Sequence, residues 1–288
     1  MKARGGAQHY PPNAPGPSSV APLEFLRPRT IGAAKDILGA DLLEPCVGSQ
    51  RVSGLLMFRV KICGVTGVDD ALLAVESGAD AIGLNFYEKS PRFCADDRAR
   101  QICQAIPRDF CKVGVFVNSS AEAIRETARE LGLHAAQLHG DEPPEFVAQL
   151  RGLPVIKAFR LKGDFGAVGA YLDRCHGLRA MPRMVLVDAH KTGQFGGTGA
   201  TLDWHALASN RPAFRGLPLV LAGGLTAANV AEAIGAAHPW AVDTASGVEA
   251  KPGLKSPDLV RAFVATASEA LRHDAAHRAA YQSRTKPA

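Results

Sequence analysis

From residue 59 onward the chain alternates short apolar runs with segments whose apolar residues recur at helical spacing. The runs predict strands near 59–63, 80–84, 111–117, 134–138, 154–159, 184–188, 218–222 and 239–243. Between and after them, helical periodicity falls near 68–77, 95–105, 120–131, 142–150, 165–174, 203–208, 226–235 and 257–270. Ser119 or Ser120 is placed to cap the third helix, and Thr226 the seventh. Eight strand–helix units over roughly 210 residues predict an α/β protein, a small closed (β/α)8 or TIM barrel. An open doubly wound sheet is the rival, but Gly64 and Gly67 after the first strand lack the GxGxxG spacing of a dinucleotide fold.

The pattern changes outside this region. Residues 10–22 are rich in Pro, Ser and Gly and predict an extended or disordered stretch. Within 31–43, Ile31, Ala34, Leu38 and Leu42 align weakly as one short helix. We therefore expect an extra, largely disordered N-terminal segment over 1–57, a catalytic barrel over 58–270, and a polar tail over 271–288 that prolongs the last helix and then frays. Met57, just before the first strand, is a natural start for the domain.

The formal charge of +5 alters little. Residues 1–58 hold six Lys/Arg and four Asp/Glu, and residues 271–288 hold four and one, which leaves 23 of each in 59–270. The excess lies in the flanks, so the domain is not expected to bind nucleic acid. No apolar stretch approaches the length of a membrane span and the N-terminus has no signal core, so the expectation is a cytoplasmic protein without a membrane partner. The six cysteines match no zinc spacing and read mostly as small buried apolar residues. Asp188, His139 and His190 form no compelling metal cluster.

In a barrel the strand C-termini and the loops after them form the mouth. There the sequence places Lys61, Cys63, Asn85, Arg92, Asn118, His139, Arg160, Asp188, Gly223–Gly224 and Asp243–Gly247. Cys63 reads either as a buried small side chain or as a base, if Lys61 lowers its pKa. Asp188 either bonds its own loop or, partly protonated, serves as an acid. Arg92, stiffened by Pro91, is either an exposed loop residue or a bidentate carboxylate clamp. His139 orients a ligand or is a satisfied core residue.

Three glycine-bearing segments lie at one rim: Gly196, Gly197 and Gly199 after strand 6, Gly223 and Gly224 after strand 7, and Ser246 and Gly247 after strand 8. Each alone suits a tight turn. Together, with backbone amides open to close approach, they point to phosphate.

The ordered motifs KICG (61–64), GLNF to SPR (83–92), VGVFVN (113–118), QLHG (137–140), VDA with FGGTG (187–199), LDW (202–204), LAGGL (221–225) and SGVE (246–249) resemble the phosphoribosylanthranilate isomerase family of tryptophan biosynthesis. The resemblance covers about 58–266 and implies a cofactor-free, metal-free Amadori rearrangement of a phosphosugar–anthranilate substrate. By it Cys63 is the general base, Asp188 the general acid and Arg92 the carboxylate site. Lys61, His139, Gly196, Gly197 and Gly199 then line the substrate, and Gly223, Gly224, Ser246 and Gly247 hold its phosphate.

Two positions depart from the family pattern: Thr244–Ala245 where valine then serine is usual, and Lys255–Ser256 in place of lysine–aspartate, a change expected to loosen the last loop. A histidine-pathway isomerase would use two aspartates and show two repeated halves, and indole-3-glycerol-phosphate synthase would need lysines at other strand ends. A non-catalytic phosphosugar-binding barrel is the alternative outside enzymes. The expected assembly is a monomer or weak homodimer.

Overall fold

The computed structural model describes residues 58–161, 163–188 and 204–284. The expectations for residues 1–57 and for the Gly196–Gly199 loop fall outside these. Eight parallel strands close into a barrel in sequence order: β1 (Val60–Cys63), β2 (Ala81–Asn85), β3 (Cys111–Phe116), β4 (Ala135–Leu138), β5 (Val155–Arg160), β6 (Met184–Asp188), β7 (Leu219–Ala222) and β8 (Ala241–Thr244). Closure is made by β1, which pairs Lys61 with Ala81 of β2 on one side and with Asp243 of β8 on the other.

Helices α1 (Val68–Glu76), α2 (Asp96–Ala105), α3 (Ala121–Leu131), α4 (Pro144–Gln149), α5 (Phe165–Gly177), α6 (Trp204–Ser209), α7 (Val230–Ala237) and α8 (Pro257–Arg284) follow the strands. None of the described helices is long and apolar enough to cross a membrane.

Strand side chains alternate between two layers. Val60, Ile62, Leu84, Val185, Val187 and Leu221 pack outward against the helices, in the larger core. Phe58, Ala81, Val113, Ile156, Met184, Leu186, Val220 and Ala241 fill the barrel interior. This parity is what aims the chemistry. On β1, Val60 and Ile62 belong to the outer layer, so Lys61 and Cys63 point inward. On β6, Met184 and Leu186 are interior, so Asp188 at the strand's end faces the same space.

Local signals explain most helix ends. The Ser120 hydroxyl accepts from the Ala123 N–H at 3.2 Å and caps α3, which stops at Gly132 in the left-handed conformation. The cap expected of Thr226 is not formed. Asn229 occupies that position, its Oδ1 accepting from the Thr226 N–H at 2.8 Å, and the helix starts four residues later than the capping residue expected. The last helix runs past 270 to Arg284; Leu271 is buried, and the buried Asp274 meets His238 Nδ1 at 2.6 Å.

One element has no counterpart in the sequence reading. After β8 a short 3-10 turn (Ser246–Val248) leads into an antiparallel pair, β9 (Glu249–Lys251) and β10 (Leu254–Lys255), in which Lys255 lies opposite Glu249.

Candidate active site

The floor of the mouth is a buried ion pair. Lys61 Nζ lies 2.9 Å from Asp243 Oδ1, with side chains 0% and 8% exposed. Burial opposes the ammonium, but Asp243 and the neighbouring Cys63 more than offset it, and Lys61 titrates above its ordinary value. Cys63 stands above this pair, half-buried at the strand's end. Its neighbour across the sheet is Gly83, where a Cβ would come within 2.8 Å of the thiol sulfur and 3.1 Å of Lys61 Nζ. Only glycine leaves room there for both groups.

Burial and then Asp243 push the thiol above its ordinary pKa, against the pull of Lys61 and Lys255. The condition attached to the base reading in the sequence, a thiol pKa lowered by Lys61, is therefore not met in the free protein. Lys61 is close enough to lower the pKa, but its charge is matched by Asp243 and does not overcome desolvation. The other described cysteines fit their reading as small apolar groups: burial pushes Cys94 and Cys175 up to about 11 and Cys111 up to about 12.

Asp188, three strand positions around the barrel from Cys63, has its Oδ2 3.5 Å from His139 Nε2. Gln137, inward on β4, sets the imidazole: its Nε2 lies 3.1 Å from His139 Nδ1. With the amide donating there, His139 carries its proton on the nitrogen that faces Asp188. The motif QLHG contains Gln137 but does not show its role, which depends on the inward parity of β4. Arg160 Nη2 donates to the His139 carbonyl at 3.1 Å, which holds the same corner. Beside it a cavity of 380 Å³ opens between β4 and β5, lined by His139, Phe159, Arg160 and Tyr171 above the buried Lys157–Glu142 pair at 2.8 Å.

Two expected mouth residues build loops instead. Asn85 accepts from the Tyr87 N–H and donates to Ser90 Oγ, shaping the approach to Arg92. Asn118, at φ 52°, accepts from the Asp141 N–H while its own N–H donates to Glu142. Arg92 crosses the loop over Gly64, whose φ of 69° and lack of a side chain let the arginine stem pass. Its guanidinium gives a side-on fork to Glu249, Nε to Oε1 and Nη2 to Oε2, both 2.7 Å.

At the rim beyond β7 and β8, Gly223 and Gly224 turn the chain with φ of 92° and 68°, and Ser246–Gly247 form the adjacent 3-10 turn. The two loops are keyed together. A Cβ at Gly247 would overlap the Leu225 carbonyl oxygen, and that oxygen accepts from the buried Thr244 hydroxyl at 2.7 Å. The hydroxyl that departs from the family pattern thus joins the loops from below. Thr244→Val is expected to cost about 1–3 kcal/mol by leaving the carbonyl unpaired, read as a lower urea midpoint.

Lys255, the half of the Lys255–Ser256 pair that matches the family pattern, ties its loop to the barrel. Its buried ammonium donates to the carbonyls of Cys63 at 2.7 Å and Ala245 at 3.1 Å and to Glu249 Oε1 at 3.0 Å. Burial nevertheless holds its pKa below the ordinary lysine value.

A thiol and a carboxyl at separate strand ends, with glycine-built loops beyond β7 and β8, share one mouth of a (β/α)8 barrel. Residues 60–266 match the family model for N-(5'-phosphoribosyl)anthranilate (PRA) isomerase. The chain is 46% identical over 209 residues to the N-(5'-phosphoribosyl)anthranilate isomerase of Myxococcus xanthus, covering 73% of this chain and 95% of that one.

Its fold is similar to the crystal structure of phosphoribosyl anthranilate isomerase from Thermotoga maritima, with TM-score 0.64 and 42% identity over 74% of this chain and all of that one. A further similar structure, at TM-score 0.62 and 40% identity over the same 74% of this chain and 100% of that one, is phosphoribosyl anthranilate isomerase in complex with reduced 1-(o-carboxyphenylamino)-1-deoxyribulose 5-phosphate. The chain belongs to the N-(5'-phosphoribosyl)anthranilate isomerase family.

Proposed function

We propose that the chain is a cytoplasmic, cofactor-independent aldose–ketose isomerase. Its reaction is the Amadori rearrangement of N-(5-phosphoribosyl)anthranilate to 1-(2-carboxyphenylamino)-1-deoxyribulose 5-phosphate. The observation that carries the reading is the strand parity that turns Cys63 and Asp188 into one mouth, in a chain of this family.

Asp188 gives its proton to the furanose ring oxygen, and the C1′–O bond breaks as the nitrogen lone pair forms the iminium. The Cys63 thiolate then takes the proton from C2′, and the C–H electrons flow to the iminium nitrogen to give an enolamine. Tautomerisation, with a proton added at C1′, leaves the ketone. The iminium is the electron sink, so the groups at the mouth suffice. His139 donates toward Asp188 and stabilises the carboxylate left after proton transfer. The Gly223–Gly224 and Ser246–Gly247 loops receive the phosphate and Arg92 the anthranilate carboxylate.

The test is freshly generated phosphoribosylanthranilate added to purified protein, followed by anthranilate-type fluorescence with spontaneous decomposition subtracted. Rapid loss of fluorescence is expected. Folded protein that binds a phosphate ligand yet turns nothing over would instead support the non-catalytic phosphosugar-binding barrel.

A further inference from the structure

The guanidinium assigned to the substrate carboxylate already holds a carboxylate, and the geometry of that contact shows how both fit. Arginine has five N–H donors in one plane, arranged as a side fork (Nε and one Nη) and an end fork (the two Nη). Glu249 occupies the side fork only. Among the described residues nothing accepts from Nη1, and the Arg92 side chain is 23% exposed while Glu249 is 4% exposed. The buried carboxylate therefore fixes the plane of the guanidinium and leaves its end fork open.

Glu249 is fixed in turn. Lys255 Nζ bonds its Oε1 at 3.0 Å and reaches the carbonyls of Cys63 and Ala245 with its other protons. The Gly253 N–H adds a longer contact at 3.3 Å. Burial opposes the charge on Glu249, but Arg92 and Lys255 more than offset it and hold the carboxyl below its ordinary pKa. The hairpin of β9 and β10 thus connects three places at once: the loop that carries Arg92, the end of β1 beneath the thiol, and the start of the turn at Ser246.

We infer that Glu249 is a positioning residue for substrate selection, which aims the end fork of Arg92 at the aryl carboxylate and references it to Cys63 and the Ser246–Gly247 turn through Lys255. The inference rests on the proposed role of Arg92 as the carboxylate site. Glu249→Gln is the informative change. Its amide keeps the size but has one acceptor oxygen, so one arm of the fork is lost and an N–H₂ faces the guanidinium.

Two ligands separate positioning from general support: reduced 1-(o-carboxyphenylamino)-1-deoxyribulose 5-phosphate and its phenylamino counterpart without the carboxyl group. Calorimetry on wild type is expected to show preference for the carboxylated compound. Glu249→Gln should weaken that compound by about 10- to 100-fold, the scale of a misplaced contact group, and the other by no more than a few fold. In turnover KM should rise with a smaller change in kcat. Glu249→Asp, which keeps the charge on a shorter arm, should fall between and provides the readout if the glutamine variant does not fold.

Equal weakening of both ligands, or no weakening of either, overturns the inference. Arg92→Ala distinguishes the level of failure. If it leaves the preference intact, the carboxylate reading itself falls and this inference with it. If it abolishes the preference while Glu249→Gln and Glu249→Asp do not, only the positioning role falls.

Discussion

Replacing Cys63 with alanine is expected to lower kcat by roughly 10²–10⁴, the usual worth of one placed proton transfer, with the barrel still folded and still able to bind a phosphate ligand. Alanine removes one atom from a half-buried strand end and leaves every bond of the Lys61–Asp243 pair and of the Lys255 fan in place. Binding and chemistry are therefore separable at this position.

With Cys63 as the proposed base acting through its thiolate, kcat/KM should rise with pH through the ionisation of the thiol. Burial and Asp243 raise that ionisation, which sets the inflection in the free enzyme above the ordinary thiol value. Lys61 lowers it. Lys61→Met should therefore move the inflection still higher, whereas Asp243→Asn, which removes a raising influence, should move it lower. The pH dependence of Cys63 alkylation by iodoacetamide reads the same ionisation without turnover. Undiminished turnover by Cys63→Ala would place the base elsewhere.

How far the sequence reaches depends on the range of the interaction. The eight strands were legible because each is a short apolar run between glycine- or helix-bearing segments. The inward aim of Cys63 was legible because VKIC alternates, with Val60 and Ile62 facing the helices. Asp188 follows by the same two-residue rule on β6.

Pairings across the fold were not legible. Lys61 and Asp243 are 182 residues apart and meet only because β8 closes on β1. Arg92 and Glu249 are 157 apart, and both were seen as members of motifs, not as partners. The hairpin that carries Glu249 and Lys255 has strands of three and two residues, too short to show a period. Thr226 satisfied the composition rule for a cap, but Asn229 competes for that turn with a side chain that accepts from the Thr226 amide. The upward shift of Cys63 was not legible for a related reason. A sequence counts neighbouring charges, whereas desolvation depends on what covers the group.

The second large effect concerns stability. Asp243→Asn should cost about 3–5 kcal/mol, the penalty for leaving a buried charge without its partner, read as a lower urea midpoint with an unchanged slope. Lys61 has no exposed side-chain surface, so it cannot turn to water when the carboxylate is removed. The folded-state pKa of Lys61 lies above its ordinary value, so the pair's contribution is fully present below the unfolded lysine pKa and disappears only as pH rises through the folded one. At neutral pH the whole penalty should therefore appear.

Lys61→Met alone strands Asp243 in the same way and should also destabilise. Lys61→Met with Asp243→Leu removes both charges, and an apolar pair of similar volume should recover most of the loss. In the double variant Cys63 loses both the carboxylate that raises its pKa and the cation that lowers it, so its turnover reads what the pair does for the thiol once stability is restored. A stable, inactive double variant would assign the pair to the chemistry of the thiol. Wild-type stability in Asp243→Asn would show that Lys61 is neutral in the folded protein, and the electrostatic account of the mouth would fall with it.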